Sequence, residues 1–355
     1  MARLTAHMEV GQDDDSWWTP TTIRRSVEAE LRLTYRFVKS NLDAAFLPVP
    51  LFTMASMFCR EMRVAEVPLI MARCLLYAFL YSYSIDIANN IAGSTEDKIN
   101  KPDRPIASGA VSLRAAKVRY VACTTAYLVY SHHVQVLSWS LLWVLTIFSS
   151  YVLHTAKFGP AKDLSMSLGT AAQLMAAWKL GGSPSELGWD WVRTVCIWVY
   201  FTVSIQDFRD VPGDRACGRR TTPILLGDTL GRVYCALSLL AFQYYIIVRC
   251  VLESRIDGIA IITSAVLTVA TIYVALRVVL LRSLKQDELS YRWYSTLYNL
   301  EVLAACVSLR ALPFDDGKRG SRRESAYVVA VACALAVIVA YRWKLIRESA
   351  ALGWR

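Results

Sequence analysis

Two stretches of this chain hold residues that could do chemistry together. In the first, Asp86, Asn89, Asn90, Gly93 and Asp97 recur every three or four positions, with Glu96 beside the last of them. In the second, Asp207, Asp210 and Asp214 follow the same spacing. On a helix such spacing puts side chains on one face. Each stretch also carries cations: Lys101 and Arg104 in the first, and Arg209, Arg215, Arg219 and Arg220 in the second. Carboxylates and amides are what Mg²⁺ takes, one or two at a time, with waters and phosphate oxygens completing its shell. Arginine and lysine take up the phosphate charge that remains. The pair therefore reads as a site for two or three Mg²⁺ and a diphosphate. An ordinary solvated loop explains either stretch alone. It explains two at equivalent helix ends poorly.

The positioning elements are apolar. Of 355 residues, 55% are hydrophobic, and ten runs approach the length of a membrane span: 38–60, 66–89, 116–136, 138–157, 163–182, 189–206, 229–252, 257–281, 291–311 and 325–344. Buried soluble helices could mimic one or two of these, not all in succession. The expected fold is an all-α polytopic membrane bundle. Both acidic stretches begin where such a run ends. Pro102 and Pro105 hold the first loop extended, and Pro212-Gly213 interrupts the helix before Asp214.

The net charge of +10 would suggest nucleic acid in a soluble protein, but its distribution argues for orientation and anion binding. With the N-terminus in the cytosol, that side holds clusters from Arg24 to Arg36, from Lys98 to Lys117, Lys157 and Lys162, from Arg209 to Arg220, and from Arg282 to Arg292. The opposite loops hold Arg60, Arg63 and Arg255. This is a positive-inside pattern, and it puts both acidic stretches on the cytosolic face. The parity fails only at the end: if 291–311 spans, Lys318, Arg319, Arg322 and Arg323 fall outside. Arg292, Asn299 and Glu301 make 291–311 the poorest span by hydropathy, so a flat or re-entrant segment there is the alternative, with 325–344 as the ninth span. The nine cysteines show no C-x-x-C and the four histidines no H-x-x-x-H, so zinc and disulfide frameworks are not expected. Residues 1–22 read as a polar lead-in without a cleavable signal, 23–312 as the membrane domain, and 313–355 as a basic linker with a further helix.

Several isolated groups carry two readings. Lys39, Asn41 and Asp43, at the inner end of the first run, could reach a diphosphate or serve as snorkelling and capping groups. Lys157 ends the fourth run on the acidic face and is a diphosphate contact by position. His154 is more simply a hydrogen-bonding residue, Ser165 and Ser167 packing residues, and Arg73 a snorkelling one. Tyr77, Phe79, Tyr81, Tyr83, Tyr127, Tyr130, Trp198, Tyr200 and Phe201 surround the expected chamber. Interfacial belts of such residues are routine, and spacing does not separate the two uses.

The two stretches resemble the paired signatures of the UbiA superfamily of intramembrane prenyltransferases. The first is typically N-D-x-x-D-x-x-x-D followed by R-P-[IL]-x-S-G; the second is D-x-x-D-x-x-G-D followed by Gly, Thr and Pro. Asn89 opens the first, Asp97 closes it, and Arg104-Pro-Ile-Ala-Ser-Gly109 completes it. Asp207, Asp210 and Gly213-Asp214 match the second, followed by Gly218, Thr221 or Thr222, and Pro223. Asn90 and Gly93 stand where the family has aspartates, and the Glu96-Asp97 pair shifts the acidic load toward the loop. With these departures the chain resembles a fungal branch of membrane-bound terpene cyclases similar to the fumagillin-type β-trans-bergamotene synthase.

That resemblance implies about nine transmembrane helices and a class I reaction in which Mg²⁺ and cations draw off the diphosphate of a linear isoprenyl substrate, farnesyl diphosphate first. It implies Asn89, Glu96, Asp97, Asp207, Asp210 and Asp214 as metal ligands, with Asn89 and the four aspartates essential to turnover. Lys101, Arg104, Arg209, Arg215, Arg219 and Lys157 would hold the diphosphate. A cyclase then folds the prenyl chain on itself in a dry pocket with π faces. The alternatives are a transferase with a second pocket for an aromatic acceptor, and a cation-conducting transporter, for which the carboxylates lie too far from the midplane. Expected partners are the substrate and the bilayer, that of the endoplasmic reticulum, with no nucleic acid and no obligate protein.

Overall fold

The computed structural model describes residues 20–60, 62–183, 185–254, 256–309 and 317–352. Each apolar run becomes a helix. Helix α1, Pro20–Val38, precedes a π-helical turn, Leu42–Phe46, and α2, Pro48–Cys59. There follow α3 Val67–Ala92, α4 Leu113–His133, α5 Leu137–Tyr151, α6 Gly159–Gly181 and α7 Ser185–Thr202. Then come α8 Asp228–Ile246, α9 Gly258–Leu280, α10 Leu284–Ser308 and α11 Gly317–Leu352. Local signals set the ends. Ser112 and Asp257 cap α4 and α9 by accepting from the N–H three residues on, at 3.2 and 2.9 Å. Gly182, at φ 85°, closes α6 in the left-handed conformation.

Among the described residues, four helical segments are long and apolar enough to cross a membrane: Leu42–Cys59, Val67–Ala92, Asp228–Leu252 and Gly258–Leu280. Helix α1 lies against α3, from α2 on consecutive helices pack as neighbours, and α6 is central, lying against α2, α5 and α7. Two glycines admit close approach. A Cβ on Gly181 would stand 2.4 Å from the Ser56 Cβ of α2, and one on Gly169 would stand 2.3 Å from the Trp143 ring of α5.

The segment rated the poorest span is α10, a continuous helix. It packs against α2, α9 and the 3-10 helix Val203–Asp210. From Tyr294 to Ser308 every residue but Leu300 is buried. Hydropathy scores α10 low because it counts polar groups that the bundle buries, among them Asn299, whose Nδ2 donates to the carbonyls of Asp43 and Ser295, each at 2.7 Å. Helix α11 lies against α10, with Trp293 Nε1 donating to Ser349 Oγ at 3.0 Å. Its Arg342 forms a buried ion pair with Asp43. The basic stretch expected as a linker falls within α11 from Gly317 on. The lead-in at 1–19 lies outside the described residues.

Candidate active site

The two acidic stretches meet. The first runs off the end of α3 through a helical turn, Asp97–Asn100. The second is the 3-10 helix Val203–Asp210 and the short helix Val211–Ala216. Asn100 bolts them together: its Oδ1 accepts from Gly213 N at 3.1 Å and its Nδ2 donates to Asp210 O at 3.1 Å. A Cβ on Gly213 would stand 2.3 Å from that amide, so the contact requires glycine.

Charge bridges the same seam. Lys101 Nζ donates to both oxygens of Asp210, at 2.8 and 2.9 Å. Arg219 joins Glu96 at 2.7 Å to Asp214 at 3.2 Å. Arg104 Nη1 donates to both oxygens of Asp97 at 2.9 Å, and Lys162 Nζ lies 2.5 Å from Asp207 Oδ1. Arg209 pairs with Glu288 at 2.7 Å and lies over the Tyr291 ring, 3.8 Å from its centroid. Burial pushes the Glu96 and Asp97 carboxyls up, and Arg219 and Arg104 only partly offset it. Burial would raise Asp210 too, but Lys101 and Arg209 outweigh it and hold that carboxyl well below the usual range.

These groups form one end of a cavity of about 180 Å³. Asn89, Gly93, Glu96, Asp97, Lys101, Arg104, Lys162, Arg209, Asp210 and Arg219 line it there. Tyr151 and Tyr291 stand beside the ionic groups, and Tyr81, Trp143, Tyr294 and Tyr298 continue an aromatic lining beyond them. Tyr81 precedes Gly93 by twelve residues on α3, so at 1.5 Å per residue the cavity extends about 18 Å inward. Tyr81 stacks on Trp143 with centroids 4.9 Å apart. Tyr294 stacks on Trp198 at 5.0 Å, and Tyr298 donates to Gln173 at 2.9 Å.

Of the residues singled out from sequence, Asn89, Glu96, Asp97, Lys101, Arg104, Arg209, Asp210 and Arg219 line this cavity. Asp207 and Asp214 are fully buried just behind it, held by Lys162 and Arg219. Lys157 and Arg215 are both exposed and outside the lining. Lys157 sits in a 3-10 turn after His154, whose φ of 59° breaks the helical path, and Lys162, on α6, points inward instead. Arg215 follows the inward Asp214 on a short helix, where the next residue turns about 100° away. Asn41 lines the cavity and donates to Asp86, whereas Lys39 pairs with Asp103 and Asp43 with Arg342. Ser165 lines it as well. Among the aromatics named from sequence, Tyr81 alone does so. The missed wall of Tyr291, Tyr294 and Tyr298 carried a signal, since spacings of three and four put them on one helix face.

The donor chemistry fits Mg²⁺, a hard ion that takes oxygen. Asn89, Glu96, Asp97 and Asp210 all reach the cavity, and Asp207 Oδ2 is buried without a hydrogen-bond partner. Among the described residues no three acidic, histidine or cysteine groups stand ready as a preformed cage. Mg²⁺ bound through one or two carboxylates and phosphate oxygens needs none.

The model of the UbiA prenyltransferase family matches residues 49–297, which hold both acidic stretches. The chain belongs to this family. Among UbiA relatives, a somaliensene A/B synthase of Streptomyces somaliensis is 32% identical over 299 residues, 82% of this chain and 98% of its own. A diterpene cyclase of Hericium erinaceus is 29% identical over 288 residues, 79% and 89% of the two chains. A polyprenyl transferase from the same organism is 32% identical over 209 residues, 57% and 71%. The UbiA fold is shared with a homolog from Archaeoglobus fulgidus solved with GPP and Mg²⁺, with a TM-score of 0.53 at 11% identity, covering 78% of this chain and 99% of that one. The protein is thus a membrane enzyme of the UbiA family, with terpene synthases and cyclases among its relatives.

Proposed function

We propose that this chain is a Mg²⁺-dependent class I terpene cyclase that ionises a linear isoprenyl diphosphate and closes it into a terpene. The observation that carries the reading is the division of one cavity into an ionic end and an aromatic interior. Bound Mg²⁺ would neutralise the leaving diphosphate, and Asn89, Glu96, Asp97, Asp207, Asp210 and Asp214 are the residues to hold it. Lys101, Arg104, Lys162, Arg209 and Arg219 bind and orient the diphosphate oxygens, with the C1–O bond facing inward. The faces of Tyr81, Trp143, Tyr291, Tyr294 and Tyr298 hold the prenyl chain folded and stabilise positive charge as it moves along the chain. Their packing keeps water from the cation. A transferase would instead seat a second molecule beside the allylic carbon, and the polyprenyl transferase relative keeps that reading as the alternative. In the membrane the chain is read with nine spans, α2 to α10, in the endoplasmic reticulum with the ionic end toward the cytosol.

The test is incubation of membranes containing the protein with Mg²⁺ and farnesyl diphosphate, without acceptor, followed by mass spectrometry of an organic extract. Geranylgeranyl diphosphate is the second substrate. A cyclic hydrocarbon absent from an Asp210→Ala control supports the cyclase. Product that forms only when an aromatic acceptor is added replaces it with the transferase.

A further inference from the structure

Helix α1 has no part in the cavity, yet its two sides are unlike. On one side Ile23, Val27, Leu31 and Tyr35 follow at four-residue steps and are 45%, 52%, 64% and 59% exposed. This makes a continuous apolar stripe on an amphipathic helix. Exposed Arg24, Arg25 and Arg32 flank it, with Arg24 also paired to Glu28 at 2.9 Å. The C-terminal end is fixed to the bundle, where Phe37 and Val38 are buried in a cluster with Tyr83, Ile87 and Cys123, and Glu30 pairs with Arg119 of α4.

The end of α1 grips the loop that supplies the ionic end of the cavity. Arg36 Nη2 donates to Asp103 O at 2.8 Å and to Ser108 Oγ at 2.7 Å, and Lys39 Nζ donates to Asp103 Oδ2 at 2.5 Å. Lys101 and Arg104, both in the cavity wall, belong to this loop. These contacts hold α1 at the polar boundary of a membrane bundle. An apolar stripe there meets the headgroup–acyl region, and the arginines beside it match anionic headgroups.

We propose that α1 docks on an anionic lipid leaflet, and that this docking orders the loop from Lys101 to Ser108 at the ionic end of the cavity. The occupant is the bilayer rather than a second copy, because the stripe is flanked by arginines of one sign and lies where the bilayer already is. The inference rests on contacts and exposure and holds whichever prenyl reaction the cavity performs.

Hydrogen exchange of the full chain in lipid nanodiscs tests it, comparing phosphatidylcholine alone with phosphatidylcholine containing about 30 mol% phosphatidylserine. One arginine near an anionic leaflet is worth roughly fivefold in partitioning, so two beyond the Glu28 pair amount to about 25-fold. Amides of 23–38 should exchange more slowly by up to that factor in the anionic discs, and those of 101–108 should slow with them. R24Q/R25Q/R32Q should behave alike in both lipids. Arg36→Gln should keep the protection of α1 and lose that of the loop, which separates docking from coupling. Exchange of 23–38 that ignores lipid charge overturns the proposal. So does protection that appears only with two copies per disc, which would assign the stripe to a second chain. A loop that stays unresponsive while α1 docks overturns the coupling.

Discussion

Gly169→Ala tests the aromatic interior without touching the ionic end. A Cβ there would stand 2.3 Å from Cζ3 and 2.8 Å from Cη2 of Trp143. Carbon contacts settle near 3.5–4.0 Å, so the indole must retreat by roughly 1.2–1.7 Å. It is not free to do so, because Tyr81 stacks on it at 4.9 Å and donates its hydroxyl to Gly169 O at 2.9 Å. The substitution therefore shifts two walls of the chamber together. Overpacking of this kind costs about 1–3 kcal/mol, and the better helix propensity of alanine returns about 1 kcal/mol, so the folded protein should survive. Product analysis with the prenyl diphosphate, run beside a melting curve, is the assay. We expect an altered ratio of cyclised products or a fall in total turnover of about tenfold, about 1.4 kcal/mol at the barrier. The Mg²⁺ dependence and the KM for the diphosphate should stay near wild type. An unchanged product spectrum and rate in a folded Gly169→Ala protein would refute the assignment of this wall.

The ionic end makes its own predictions. Lys162→Met should abolish most diphosphate release, whereas Lys157→Met should leave turnover near normal; equal losses would contradict the placement of the two lysines. Arg342→Met strands the buried Asp43 carboxylate, a loss of about 3–5 kcal/mol that Asp43→Asn in the same chain should partly restore; thermal melting reads both. In metal-free protein, raised Glu96 and Asp97 bind protons where the unfolded chain, at 4.5 and 3.8, does not. Their stabilising effect is therefore full below those ordinary values and is lost as pH rises through the raised ones. Asp210, held low, works in the opposite sense only below 3.8. Chelated protein should accordingly melt progressively lower as pH rises above the ordinary values of 3.8 and 4.5, and Glu96→Gln/Asp97→Asn should remove that part of the slope.

The ionic end was readable from sequence because its residues are short-range. Carboxylates three and four apart, next to Arg-Pro and Gly-Asp turns, declare themselves within about twenty residues. The aromatic wall was not, because it depends on which helix faces which. Trp143 reaches the cavity only because α6 offers Gly169 opposite it, a pairing between α5 and α6 that no local pattern records. Tyr127 is buried in the core instead, its hydroxyl 2.9 Å from that of Tyr77. Lys157 and Lys162 differ by a change in backbone direction at His154 that composition does not reveal. Hydropathy left α10 open, because it counts Asn299 and Glu301 against burial and has no means to credit the Asp43 carbonyl waiting for the amide.

That same helix has a consequence for how the protein is made. Polar side chains are costly to bury outside a finished bundle, and α10 holds Asn299 and Glu301 in its interior. The carbonyl that takes up Asn299 lies 256 residues earlier in the chain. Seating of α10 in the bundle therefore requires the first helices to be already assembled and waiting. Three tyrosines of the chamber arrive with it, so until most of the chain has been synthesised the cell holds an ionic site without a reaction vessel.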